Sequence, residues 1–204
     1  MMGIELKDFL FEGLLNLLKG AQGRRKRVPE YAYVASMQGN SISSLVQADD
    51  RWKSCQERMV LQSPTSLIRS HCGRFLYAAS SLTGRVSAFR AKDGESLVRL
   101  NSHSSDEEPE SMAVCPAGRF LYVANSLGSS VSVFATDRNG LLSPPTSYPT
   151  RDTVHDVACH PKEPLLCLCH KNAGTLTFVS VTEEDGLSEV AVVDAGTEPS
   201  MARW

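Results

Sequence analysis

"GRFLYAASSLTGRVSAFRA" (residues 73–91) and "GRFLYVANSLGSSVSVFAT" (residues 118–136) are near copies standing 45 residues apart, and their reading decides the fold. In each, a short run of aromatic and β-branched residues is followed by a Ser/Gly-rich turn and an alternating run ending in "V-S-x-F". Alternation with β-branched and aromatic enrichment is the signature of strands, so each copy holds two antiparallel strands joined by a tight turn. Two more distant copies flank them, "PEYAYVASMQGNSISSLVQ" (29–47) and "EPLLCLCHKNAGTLTFVSV" (163–181), and all four align without an internal gap. Tyr33, Tyr77, Tyr122 and Cys167 then become equivalent, with spacings of 44, 45 and 45 residues.

Working outward, the last three copies are followed by turn chemistry at Gly94, Gly140 and Gly186, in "KDG", "RNG" and "EDG". A further short apolar segment precedes the equivalent tyrosine or cysteine in each: "TSLIRS", "ESMAVC" and "HDVACH". Each unit therefore contains four short strands within about 45 residues, which predicts the blade of a β-propeller. A helical solenoid of similar period is excluded by the alternating pattern. The fold class is all-β, with about four blade units over residues 28–204.

Residues 1–27 differ in kind. "IELKDFLFEGLLNLLK" (4–19) places Glu5, Asp8, Glu12, Asn16 and Lys19 on one side of a helix, and apolar residues cover most of the rest. Gly20 and Gly23 end the pattern, and the basic run Arg24–Arg27 leads into the first strand. This amphipathic helix is expected to cover an apolar blade face, with a partner groove or a membrane surface as the alternative.

Composition sets the remaining bounds. The chain has 204 residues, 42% of them apolar and 22% charged, with a formal net charge of -2. That balance gives no reason to expect a nucleic-acid partner. No apolar run approaches the roughly 18 residues a membrane span requires. Glu5 and Asp8 occupy the place where a secretory signal would be basic. Six scattered cysteines without such a signal read as reduced thiols in a cytoplasmic protein.

The stretch "VHDVACHPKEPLLCLCH" (154–170) concentrates three histidines and three cysteines. A zinc site from Cys159, His160, Cys167, Cys169 and His170 lacks the paired knuckle spacing such sites use. Cys167 and Cys169 stand where Tyr122 and Ala124 stand one unit earlier, among packing residues. No thiol is marked as a nucleophile, and His160 falls where the other units have a Ser or Cys beside a turn. No metal and no cofactor is expected.

The wording "P-x-S-x-x-x-x-x-x-G-R-F-L-Y-x-A-(S/N)-S" followed by "V-S-x-F" resembles the lactonase family of seven-bladed propellers, over roughly residues 29–204. That family includes propeller-type 6-phosphogluconolactonases and carboxymuconate cyclases. The resemblance implies hydrolysis of a sugar lactone, such as 6-phosphogluconolactone, at one mouth of the central channel. Thr65, Glu110, His155 and Ser200 are equivalent at 45-residue steps, which puts them at that mouth. His155 matches the family's proposed acid/base histidine. Thr65, Glu110 and Ser200 are its channel-mouth neighbours.

Two departures follow from the same alignment. Where the family has "G-P-R-H", this sequence reads "EPSM", with Ser200 in place of the arginine and Met201 in place of the histidine. The family's following glutamate would lie beyond Trp204. Arg203 sits three residues along an expected strand, on the opposite face from Ser200, and is not expected to replace the arginine.

Seven blades require roughly 315 residues at this period, and about 175 follow the helix. The repeat opens on the second strand of a blade, at Tyr31, and reaches a first strand at "PSMARW". The expectation is the N-terminal half of a lactonase propeller, an open arc with impaired activity and edges available for self-association or a partner chain. The alternatives are a four-bladed closed ring, with about 90° between blades instead of about 51°, and a non-catalytic propeller remnant or protein-binding module.

Overall fold

The computed structural model describes residues 30–48, 51–92, 96–182 and 186–204. The expected helix over 4–19, the basic run 24–27 and the turn at Gly94 lie outside the described residues. Among those described, every regular element is a strand, and no helix is long and apolar enough to cross a membrane.

Fifteen strands form four antiparallel sheets in chain order. The first sheet has three strands, β1 (Tyr31–Ser36), β2 (Ser41–Ala48) and β3 (Arg51–Val60). The second contains β4 (Pro64–Arg69), β5 (Phe75–Ser80), β6 (Arg85–Lys92) and β7 (Ser96–Ser104). The third contains β8 (Pro109–Val114), β9 (Phe120–Asn125), β10 (Ser130–Ala135) and β11 (Thr146–Pro149). The fourth contains β12 (Asp156–Cys159), β13 (Leu165–His170), β14 (Thr175–Val181) and β15 (Leu187–Asp194). Each sheet is a meander in which neighbours in sequence are neighbours in space. These are the blades that the repeat predicts, and the three-stranded first sheet follows from its start on a second strand.

Sheets meet through their leading strands: β1 lies against β4, β4 against β8, and β8 against β12. The second strand of each complete blade is then covered on both faces. In β5, Leu76 and Ala78 pack toward the first sheet with Ile42 and Phe89. Phe75, Tyr77 and Ala79 pack toward the third with Met112, Val114, Val123 and Phe134. β9 repeats the arrangement, with Tyr122 and Ala124 facing Val157, Leu166 and Leu168 of the fourth sheet. This explains why "FLYAAS" and "FLYVAN" carry few polar residues, since a strand buried on both faces has no solvent side.

The turn between the first two strands of each four-stranded blade is closed by an equivalent side chain. Ser70 Oγ accepts from the Phe75 amide at 3.1 Å, and Cys115 Sγ accepts from the Phe120 amide at 3.2 Å. His160 Nδ1 accepts from the Glu163 amide at 2.8 Å. His160 is thus a turn-closing residue, as its register with Ser70 and Cys115 indicates.

The segment Pro199–Trp204 departs from the expectation of a strand: no ladder bond forms along it. No second strand lies beside it among the described residues, and it is held by other means. Ala202 is buried against Ala158, Cys167 and Cys169. Trp204 meets the His160 ring edge-on with centroids 4.6 Å apart, and its indole N–H donates to the Ala158 carbonyl at 3.4 Å.

Phe134 is fully buried in the interface between the second and third sheets. Phe134→Ala is expected to cost about 3–5 kcal/mol through lost burial and an unfilled cavity. Urea unfolding followed by circular dichroism checks it.

Candidate functional site

In each blade the turn between strands two and three and the chain entering strand one reach the same end of the sheet. That end carries the four register positions. Thr65 sits at a bulge in β4, where Pro64 pairs with Ser80 and Ser66 with Ala79, so Thr65 has no partner in the ladder. Glu110 occupies the same bulge in β8, between the pairs Pro109–Asn125 and Ser111–Ala124. Extra residues of this kind re-aim a side chain at a sheet's rim. Neither bulge is readable from residue type, because the local alternation continues on both sides of it.

The chain enters β4, β8 and the C-terminal segment through residues with left-handed backbone. Ser63 has φ 41°, Glu108 55° and Glu198 51°, each two residues before Thr65, Glu110 or Ser200. The fourth equivalent is Thr153, a β-branched residue poorly suited to positive φ, and it does not adopt it. Pairing in β12 begins only at Asp156, opposite Cys169. His155 therefore stands just outside the strand, anchored by its amide, which donates to the Cys169 carbonyl at 2.9 Å. The pairs that Ser80 makes with Pro64 and Asn125 with Pro109 have no counterpart at His170, whose ladder pair is Thr175 on the other side. The His170 side chain bonds the Thr153 carbonyl at 3.1 Å and Thr177 Oγ1 at 2.9 Å instead.

The His155 ring is half-buried, and its Nδ1 is buried without a hydrogen-bond partner among the described residues. Nε2 makes no hydrogen bond there either and is left as the nitrogen that can meet water. Thr65 donates its hydroxyl to the Pro109 carbonyl at 3.0 Å, across the gap between blades. Glu110 and Ser200 are exposed. No hydrogen bond or ion pair joins any two of these four side chains among the described residues.

A side-chain-to-side-chain bond between blades runs one residue further along. Ser111, following Glu110, donates its hydroxyl to Asp156 Oδ1. Asp156, following His155, is 4% exposed. Its Oδ2 accepts from the Ala202 amide at 2.8 Å and from Arg203 Nη1 at 2.7 Å. Sequence reading missed this carboxylate and set Arg203 aside on the premise of a strand. Because the segment is not a strand, alternation does not apply, and the Arg203 side chain reaches back to Asp156 while remaining 60% exposed.

Beside this site, between the second and third blades, lies an open depression of about 630 Å³. Ser63, Thr83, Ser105, Asp106, Glu107 and Glu108 line part of it. Asp106 Oδ2 accepts from the Ser130 and Ser147 hydroxyls at 2.8 and 3.2 Å, and Glu108 Oε2 from Ser126 at 3.0 Å. Two of its carboxylates are thereby held in place.

The cysteines divide by environment, and all six are free thiols. Burial pushes Cys159 up to about 12 and Cys167 up to about 11, and it raises Cys169 as well. Cys169 donates its S–H to the Pro199 carbonyl at 3.1 Å. The cysteines of this stretch are packing residues. Cys72 is the reverse case: it is exposed, and hydrogen bonds from the Ser70 hydroxyl and the Arg74 amide lower its pKa to about 7.

The family model described as lactonase, seven-bladed β-propeller, matches residues 31–201. The chain belongs to the lactonase family. No curated protein matches it. Among solved structures, the periplasmic gluconolactonase PpgL of Pseudomonas aeruginosa superposes with a TM-score of 0.77 at 20% identity, over 85% of this chain and 53% of that one. A candidate 6-phosphogluconolactonase of Bacteroides uniformis superposes with a TM-score of 0.77 at 20% identity, over 84% of this chain and 53% of that one. A second candidate, from Bacteroides fragilis, gives a TM-score of 0.68 at 18% identity, over 89% and 60%. These likenesses are of fold. This lactonase-family chain spans about half the length of the first two solved structures.

The thiol environments predict an order of reaction. Thiolate at Cys72 is populated above a pH of about 7, so alkylation by iodoacetamide should label it first and slow as pH falls through that value. Cys159 and Cys167 should stay unlabelled at neutral pH until the protein is unfolded, as peptide mass mapping reads directly.

Proposed function

We propose that this chain is a lactonase-type hydrolase acting on a sugar lactone such as 6-phosphogluconolactone, with His155 as acid and base. The observation that carries the proposal is the His155 ring at the blade end, whose buried Nδ1 has no hydrogen-bond partner among the described residues. Placing the proton on Nδ1 leaves the Nε2 lone pair available to water.

Nε2 takes a proton from water as the hydroxide oxygen bonds to the lactone carbonyl carbon. The tetrahedral adduct collapses by breaking the bond from that carbon to the ring oxygen. The imidazolium returns its proton to the departing oxygen. One water is consumed, and the product is the open-chain hydroxy acid. The adduct carries negative charge, which a positive group stabilises. Arg203 is a cation bonded to Asp156, the residue that follows His155.

A second reading, a non-catalytic propeller remnant or protein-binding module, is favoured by Ser200. A serine cannot hold an oxyanion or phosphate with the paired donors an arginine offers. On the catalytic reading, that replacement leaves the chain with a reduced rate. The free thiols fit a cytoplasmic setting, where any cysteine pair stays reduced.

Hydrolysis of 6-phosphoglucono-δ-lactone, followed by acid release in a pH-stat, separates the readings. His155→Ala should lower kcat by about 10²- to 10⁴-fold, the ordinary contribution of a positioned acid/base. A rate for the unsubstituted chain no higher than spontaneous hydrolysis would leave the binding-module reading standing alone.

A further inference from the structure

The His155 ring has no hydrogen bond of its own on Nδ1 among the described residues. A histidine acting on water is ordinarily oriented by a partner on its other nitrogen. The constraint on this ring must come from its backbone and from what packs around it. Its amide is tied to Cys169 at 2.9 Å, and the next residue is the most heavily bonded carboxylate of the site.

Asp156 is 4% exposed and accepts from three groups on two other parts of the chain. Ser111, on the preceding blade, donates to Oδ1. The Ala202 amide and Arg203 Nη1, on the C-terminal segment, donate to Oδ2 at 2.8 and 2.7 Å. A buried carboxylate left without such donors carries a large desolvation cost, so each of the three groups is held where the carboxylate requires. The result is a clamp across three consecutive blade positions, one peptide bond from His155. Among the described residues nothing comparable occurs in the earlier blades, where the equivalent positions are Ser66 and Ser111.

We propose that Asp156 is a positioning residue. Its carboxylate fixes the His155 ring at the blade end by locking the entry of β12 to β8 on one side and to Ala202–Arg203 on the other. The catalytic consequence rests on the lactonase reading, whereas the placement of the ring does not. Arg203 and Ser111 act through Asp156, each supplying one arm of the clamp.

The test uses the full chain in a Trp52→Phe background, in which Trp204 is the remaining indole. Trp204 emission reports docking of the C-terminal segment, because that ring rests on His160 and Phe178. The His155 imidazole resonance, assigned by its absence from His155→Gln, reports the ring. Asp156→Asn should red-shift Trp204 emission and displace the His155 resonance, while those of His71 and His103 in the second blade stay in place. Arg203→Lys should keep both signals near their native positions. Ser111→Ala should displace His155 with Trp204 unchanged.

An unmoved His155 resonance in Asp156→Asn overturns the proposal. So does a common displacement of all five imidazoles, which is the mark of general loosening. If Asp156→Asn does not fold, Ser111→Ala and Arg203→Met remove one arm each and decide the matter by the same signals. On 6-phosphoglucono-δ-lactone, Asp156→Asn should lower kcat about 10- to 100-fold with KM changed by less than about twofold. Absence of hydrolysis by the unsubstituted chain counts against the lactonase reading alone, since the two spectroscopic signals still judge Asp156.

Discussion

The second and third blades cannot satisfy their own second strands. β5 and β9 are apolar on both faces, and each face needs a different neighbouring sheet to cover it. A single meander would leave one face of "FLYAAS" or "FLYVAN" in water, so the blades are stable only as a stack. The other regularities follow from that requirement. The fixed 45-residue step brings equivalent residues to equivalent depths, and bonds such as Thr65 to the Pro109 carbonyl join one leading strand to the next.

The same requirement explains why the architecture was legible in the sequence. Double-sided burial forces a recognisable wording, and the wording recurs because each unit meets the same two surfaces. "TSLIRS", "ESMAVC" and "HDVACH" correspond to β4, β8 and β12 within a residue or two. The cysteines at 167 and 169 could be read as packing residues because their register was that of Tyr122 and Ala124, and both are buried in β13. Periodicity also singled out His160, through its equivalence with Ser70 and Cys115.

What periodicity could not reach were features that break the repeat. The bulges at Thr65 and Glu110 add a residue to one strand without disturbing the pattern on either side. Asp156 stands where the earlier blades have serine, and its partners lie 45 to 47 residues away, Ser111 in β8 and Ala202 and Arg203 on a segment whose conformation alternation misjudges. Arg203 pairs with it because Pro199–Trp204 lacks the strand geometry that would turn the side chain away. The lowered thiol at Cys72 depends on a hydroxyl two residues earlier and an amide two residues later, a local geometry that composition does not reveal. The common thread is that the candidate site is built from exceptions to the rule that builds the scaffold.

The successive interfaces are not equal. Tyr77 and Tyr122 occupy equivalent places in the interfaces that follow the second and third blades. On the other face of the fourth blade, Cys167 takes that place and packs with Ala158, Cys169, Ala202, Leu176 and Phe178. His155, whose amide bonds the Cys169 carbonyl, borders this cluster, so the ring proposed for chemistry stands on small side chains where the other interfaces carry tyrosine.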